Sequence, residues 1–228
     1  MAVEDAFELV KWLLITNRNV GRYLMNRILY YHQQSHFSRK IRILLAEKNI
    51  ECELREINLV DKPPEFLNLS PIGKVPVFVD EDGTVIWDST LIAEYLDETY
   101  PQPRFYPSDP RTRLECRKWE ELADYLGDTI INLWILNLKN NFTFPGYRTR
   151  LEASINRLLP VFDQQLAKSN YLLGDETWTA ADVAGLCSLG YYSLRLDEDW
   201  QLKYIHLRDW FNKLHERDSV QSTVPQKS

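Results

Sequence analysis

Glycine is scarce in this chain, 8 of 228 residues, and histidine (4), cysteine (3) and methionine (2) are scarcer still. So little glycine excludes collagen-like and low-complexity chains. No Gly-rich phosphate loop, dinucleotide fingerprint, Gly-x-Ser-x-Gly elbow or His-Glu-x-x-His zinc motif occurs. Cys52, Cys116 and Cys187 are odd in number and far apart, which draws neither a disulfide framework nor a zinc site and points to a reducing cytoplasm. His32, His36, His206 and His215 have no metal-ligand spacing, so no metal is expected. Long apolar runs are missing too: Trp12 to Ile15 and Thr129 to Leu138 fall far short of the roughly 18 residues a membrane span needs. Glu4 and Asp5 stand where a secretory signal carries Lys or Arg. A basic excess is absent, with 27 Lys plus Arg against 33 Asp plus Glu and a net charge of -6, so no nucleic-acid partner is expected.

What is present is a globular composition, 44% hydrophobic, in a chain long enough for one large core or two smaller ones. Ile28 to Tyr31 read as a first strand, and Ser38 to Lys48 as a helix with Ile41, Leu44 and Leu45 inward, basic residues on its outer face and Asn49 as its stop. Glu51 to Asn58 read as a second strand with Cys52, Leu54 and Ile57 on one face. Lys62-Pro63-Pro64 opens a loop that lasts to Lys74, and Val75 to Val79 make a third strand. Asp80-Glu81-Asp82-Gly83 is a hairpin turn, Thr84 to Trp87 the returning strand, and Asp88-Ser89 the cap of a helix carrying Leu91, Ile92, Tyr95 and Leu96. The order βαβ, then ββα, favours a small mixed sheet.

Pro101, Pro103, Pro107 and Pro110 mark an interdomain linker over 101–110. Beyond it helical periodicity dominates, in Leu114 to Asn140, Tyr147 to Lys168, Thr179 to Leu194 and Ile205 to His215. The expected division is therefore an α/β domain over 25–100 and an all-α domain over 111–228. Residues 1–24 stand outside this scheme, either as an extra translated piece or as a helix, Phe7 to Ile15, docked on the body.

Several segments in this order resemble the cytosolic glutathione transferase family: Ser35-His36-Phe37-Ser38-Arg39-Lys40, Gly73-Lys74-Val75-Pro76-Val77, Asp88-Ser89-Thr90-Leu91-Ile92-Ala93-Glu94-Tyr95-Leu96 and Thr179-Ala180-Ala181-Asp182. The resemblance implies a thioredoxin-like N-terminal domain that binds glutathione, a helical domain that binds a hydrophobic electrophile, and a two-fold homodimer. It implies conjugation of the glutathione thiolate, or a related isomerisation or dehalogenation. The other function in view is a non-catalytic interaction or regulatory protein on the same fold.

Ser35 lies in the turn into the first helix, where amides favour negative charge, so its hydroxyl is the candidate donor to the thiolate. Its other reading is a cap of that helix, although Ser38 is the better placed of the two for capping. Tyr31 is the rival donor, since Tyr-dependent classes use a phenol near the end of the first strand. His36 stands where many Ser-type members have Pro. The resemblance gives Val75-Pro76 a cis peptide whose backbone pairs with the cysteinyl part of glutathione, and gives Asp88 and Ser89 the γ-glutamyl ammonium and carboxylate. It gives Lys62 and Lys74 the glycine carboxylate. Capping explains Asp88 and Ser89 as well, and solvation explains both lysines. Thr179 and Asp182 form a capping box, with Trp178 and Val183 as its hydrophobic staple. Trp119, Tyr125, Trp134 and Tyr191 are the candidates for the electrophile pocket, with core packing as their other use.

Overall fold

A computed structural model describes residues 26–138, 146–196 and 199–226. The expected N-terminal extension, with its Phe7 to Ile15 helix, lies outside the described residues, as does the end of the helix expected to reach Asn140. The first half runs β1 (Ile28–Tyr31), α1 (His36–Glu47), β2 (Glu53–Glu56), α2 (Pro64–Leu69), β3 (Val77–Val79), β4 (Val85–Trp87) and α3 (Ser89–Thr99). The sheet order is β2-β1-β3-β4, with β1 and β2 parallel and the other pairs antiparallel. This is the thioredoxin-like βαβ, ββα arrangement. Alternation along the strands splits the core: Leu29 and Phe78 face α1 and α3, while Ile28, Tyr30, Val77 and Val79 face Phe66 of α2. Asn49 (φ 52°) ends α1 in the left-handed region as its sequence suggests.

Several local expectations need correction, and the third strand begins at Val77 rather than Val75. Strand β2 is shorter than Glu51 to Asn58, and its four residues are all exposed, Leu54 included; of the expected inner face only Ile57 is buried. As the outer edge of the sheet it carries Glu53, Arg55 and Glu56, which discourages pairing with another chain. The segment read as a loop from Lys62 to Lys74 contains α2. Pro64 starts this helix at a position where a missing N–H costs nothing.

The second half is helical: α4 (Pro110–Leu138), α5 (Tyr147–Leu166), α6 (Ala180–Arg195), a 3-10 turn (Trp200–Leu202), α7 (Ile205–His215) and α8 (Asp218–Gln221). Pro110 opens α4 rather than closing the linker. Helix α6 is buried on nearly every face from Ala180 to Tyr192, so it is the axis of this half. Its N-terminus has the expected capping box, with Trp178 and Val183 buried beside it.

Helix α1 has no solvent face of basic residues. Arg39 is 2% exposed and Lys40 1%, because α4, α6 and the C-terminal segment pack where water was expected. The Lys40 ammonium lies 2.7 Å from Glu120 and 3.0 Å from Asp124 of α4. Arg39 donates to the Val220 carbonyl (3.2 Å) and Thr223 Oγ1 (3.4 Å), and Glu47 meets Arg217 at 2.7 Å. Lys48, just past α1, is buried against Asp97 (2.9 Å) and the carbonyls of Tyr100 and Pro103, which pins the chain leading to α4. The two halves thus meet across buried charged groups that are ion-paired or, for Arg39, hydrogen-bonded to neutral acceptors.

Candidate active site

The α1 N-terminus faces a cleft of about 630 Å³, in the size range of small-molecule sites. One wall is His32, Gln34, Ser35, His36 and Phe37; a second is Leu59, Lys62, Gly73, Lys74 and Val75. The third comes from the helical half: Asp128, Ile131, Asn132, Trp134 and Ile135 of α4 with Tyr191 and Arg195 of α6. Three cations against one carboxylate line this cleft in a chain of net charge -6.

Ser35 has extended backbone (φ -80°, ψ 118°) and is the N-cap of α1, its Oγ accepting from the Ser38 amide at 3.2 Å. The sequence favoured Ser38 as the cap; instead Ser38 sits inside the first turn, fully buried, and its Oγ accepts from the His32 amide. A hydroxyl has one proton and two lone pairs, so capping leaves the Ser35 proton free for a ligand. The amides of His36 and Phe37, which Ser35 does not engage, are the remaining first-turn donors. Serine hydroxyl and helix terminus together suit an anion.

The Val75–Pro76 peptide is cis, and among the described residues no hydrogen bond engages the Val75 amide or carbonyl. Gly73 (φ 60°) turns the preceding loop, and Ser70 Oγ holds the Lys74 amide and carbonyl at 3.2 and 3.0 Å. Asp88 caps α3 with φ 75°, its Oδ1 accepting from Thr90 and Leu91. Neither Asp88 nor the buried Ser89 lines the cleft, although Asp88 acts electrostatically on Asp128, which does. Burial pushes the Asp128 carboxyl up, and Lys74 pulls it back. Tyr31 is not at the cleft, and its ring lies under the Arg42 guanidinium at 5.1 Å.

Of the four aromatic candidates, Trp134 and Tyr191 line the cleft and Trp119 and Tyr125 do not. Nine residues separate Tyr125 from Trp134, roughly half a turn round the helix, so Tyr125 faces Ser154 of α5 instead. Trp119 is about 22 Å from Trp134 along the axis and packs on Phe162. The residues missed are Asp128, Ile131, Asn132 and Ile135, whose i, i+3, i+4, i+7 spacing was a readable signal, and Gln34 and Arg195, for which none existed.

His36 is 3% exposed, and neither ring nitrogen has a hydrogen-bond partner. Its ring lies against Phe37 and Tyr191, and Nε2 would be 2.1 Å from a Cβ at residue 127, so only glycine there lets α1 and α4 approach. Burial, then the neighbouring Lys40, lowers its pKa to about 3. The unfolded chain, with His near 6.5, binds the proton more readily, so stability must fall as pH drops from about 6.5 toward 3. At about 1.4 kcal/mol per pH unit, His36 should remove about 2 kcal/mol between pH 6.5 and 5. Urea unfolding of wild type and His36→Asn across this range should show the shallower slope in the variant; parallel slopes would mean that His36 is solvated.

The chain's own thiols are unreactive by placement: burial raises Cys52 to about 12 and Cys116 and Cys187 to about 11. Among the described residues no His, Cys, Asp or Glu cluster could hold a metal ion, and no helix is long and apolar enough to cross a membrane.

Comparison with known proteins meets this geometry. Residues 29–104 match the glutathione S-transferase N-terminal domain, and residues 145–213 the glutathione S-transferase C-terminal domain. The GST-like protein YibF of Escherichia coli is 31% identical over 200 residues, 85% of this chain and 96% of that protein. Maleylacetoacetate isomerase of Pseudomonas aeruginosa is 30% identical over 166 residues, 71% of this chain and 76% of that protein. A glutathione S-transferase from Methylobacillus flagellatus, solved with glutathione bound, superposes with a TM-score of 0.83 at 30% identity, covering 88% of this chain and all of that one. Similarity of this extent, running through both halves in the same order, makes the chain a member of the glutathione S-transferase family.

Proposed function

We propose that the protein is a glutathione transferase, which binds glutathione along the Ser35 and Val75 walls of the cleft and conjugates it to a hydrophobic electrophile held by Ile131, Trp134, Ile135 and Tyr191. The observation that carries this reading is Ser35, whose hydroxyl proton is free at a helix N-terminus while its lone pair caps that helix. The Val75 amide and carbonyl, without partners among the described residues, pair with the cysteinyl backbone as an added strand would. Lys62 and Lys74 hold the glycine carboxylate, and the γ-glutamyl end extends beyond the cleft to Asp88 and Ser89 at the α3 N-terminus. In the reaction the thiol proton leaves to solvent and the thiolate, accepting from Ser35, forms the C–S bond. The leaving group takes the electrons of the bond it breaks, or in an addition the adjacent carbon takes a proton from solvent. A cytoplasmic location and a two-fold homodimer belong to the same reading, and fractionation and light scattering test them.

A hydrogen bond to a charged group contributes about 1.5 to 3 kcal/mol. Ser35→Ala should therefore lower kcat/KM for conjugation by about 10- to 100-fold and raise the pKa of bound glutathione, while Tyr31→Phe should change neither. Full activity in Ser35→Ala would remove this assignment. If the wild-type chain neither binds immobilised glutathione nor conjugates it, the non-catalytic reading stands instead.

A further inference from the structure

Arg195, at the last turn of α6, reaches into the cleft from the side opposite Lys62 and Lys74. Its guanidinium carbon lies 4.1 Å from the Trp134 ring centroid and 5.2 Å from that of Tyr191. Its Nη2 donates to Gln34 Oε1 at 2.5 Å, one turn residue from Ser35. Its Nε is buried with no partner, and among the described residues no carboxylate pairs with it. The two buried lysines are treated differently, since Lys40 has Glu120 and Asp124 and Lys48 has Asp97, while Arg42, whose Nε is also buried without a partner, lies over Tyr31 outside the cleft. Arg39 is satisfied by the Val220 carbonyl. Arg195 is held by two aromatic faces and a neutral amide, which fix a planar cation, and none of the described carboxylates neutralises it.

We propose that Arg195 determines specificity for an electrophile that carries a carboxylate, pairing with that anion while Ile131, Trp134 and Ile135 cover the rest of the molecule. The inference rests on the transferase reading and narrows its substrate class from hydrophobic to amphiphilic and anionic. A planar guanidinium matches a carboxylate, whereas the aliphatic wall of α4 offers only apolar contact to the remainder. Glutathione's own carboxylates are met by Lys62, Lys74 and the α3 terminus in that reading, so Arg195 is left for the second substrate.

The test compares two aryl chlorides with the same reaction, 1-chloro-2,4-dinitrobenzene and 4-chloro-3,5-dinitrobenzoate, each corrected for its spontaneous rate with glutathione. In both, the thiolate forms a C–S bond and chloride leaves. The wild-type protein should prefer the carboxylate, and Arg195→Met should collapse the ratio of the two kcat/KM values by about 10- to 100-fold, mainly through the KM of the benzoate. Arg195→Lys should recover only part of the preference, because it keeps the charge and loses the planar fork. An unchanged ratio in Arg195→Met, or an equal fall for both substrates, would overturn the proposal. Titration with the two glutathione conjugates gives a second readout that needs no turnover. If neither chloride is turned over but the carboxylate conjugate still binds tighter in an Arg195-dependent way, the transferase reading fails and the anion site stands. Equal binding of the two conjugates overturns the anion site.

Discussion

Replacing Lys40 by Met should cost about 3 to 5 kcal/mol of folding stability, a large part of what a domain of this kind possesses. Burial pushes the Lys40 ammonium down in pKa, and Asp124 and Glu120 more than reverse it, so it stays charged. Around it Glu120 is as buried as Lys40 and also accepts from the Tyr106 phenol at 2.8 and 2.9 Å, while Thr90 Oγ1 is 3.2 Å from the ammonium. Removing the cation leaves Glu120 in the interior beside the like charge of Asp124, with Arg117, at 3.4 Å, as its remaining cation among the described residues. The loss comes from that stranded carboxylate more than from the vanished attraction. The combination Lys40→Met with Glu120→Gln should therefore recover more than half of the stability lost, because the amide keeps an acceptor for Tyr106 and sheds the charge. Urea midpoints measure both. A single variant within about 1 kcal/mol of wild type would mean that water reaches this network.

Asp182→Ala should be at least as damaging, about 4 kcal/mol or more, and visible as lost soluble protein. Its two oxygens accept four hydrogen bonds: Leu172 N at 2.9 Å, Trp210 Nε1 at 3.2 Å, Thr179 N at 2.8 Å and Thr179 Oγ1 at 3.0 Å. Burial raises its pKa against the pull of these donors. Truncation strands donors from three places at once: the segment before α6, the start of α6 and α7. Each unsatisfied buried donor costs about 1 to 3 kcal/mol. Two milder changes keep the expectation measurable where the alanine variant does not fold. Trp210→Phe removes one donor and should cost about 1 kcal/mol. Asp182→Asn keeps the size but turns an amide N–H toward Thr179, and should cost about 2 kcal/mol or more. If all three variants unfold with wild type, the carboxylate is not the junction of these segments.

Local patterns were legible in the sequence and distant partners were not. The Thr179–Asp182 box, the Asp80–Gly83 turn and the Asn49 stop each involve a few adjacent residues, and each appears as read. Ser35 of the first cleft wall was legible for the same reason, whereas its neighbour Gln34 was not. The face of α1 was misread because Arg39 and Lys40 look like solvent residues until Val220 and Glu120 arrive from 181 and 80 positions away. Helix α2 was missed because two prolines read as loop, although a proline at the first position starts a helix readily. Within the cleft, choosing aromatics by residue type included Trp119 and Tyr125; following the face of α4 through Asp128, Ile131 and Ile135 would have left them out.

The contacts that finish α1 also bear on the order in which the protein can be made. The ribosome delivers β1 and α1 early, and their sheet partners follow within about 60 residues, so the N-terminal half can assemble its strands as it emerges. Its buried Arg39 and the carboxylate of Glu47 must nevertheless wait for Arg217, Val220 and Thr223, which are synthesised 170 to 184 residues later. Until then the Arg39 guanidinium stays hydrated and the face of α1 that the C-terminal segment covers stays open to water. The packing of α1 is thus completed only once α8 and the residues just after it have been made.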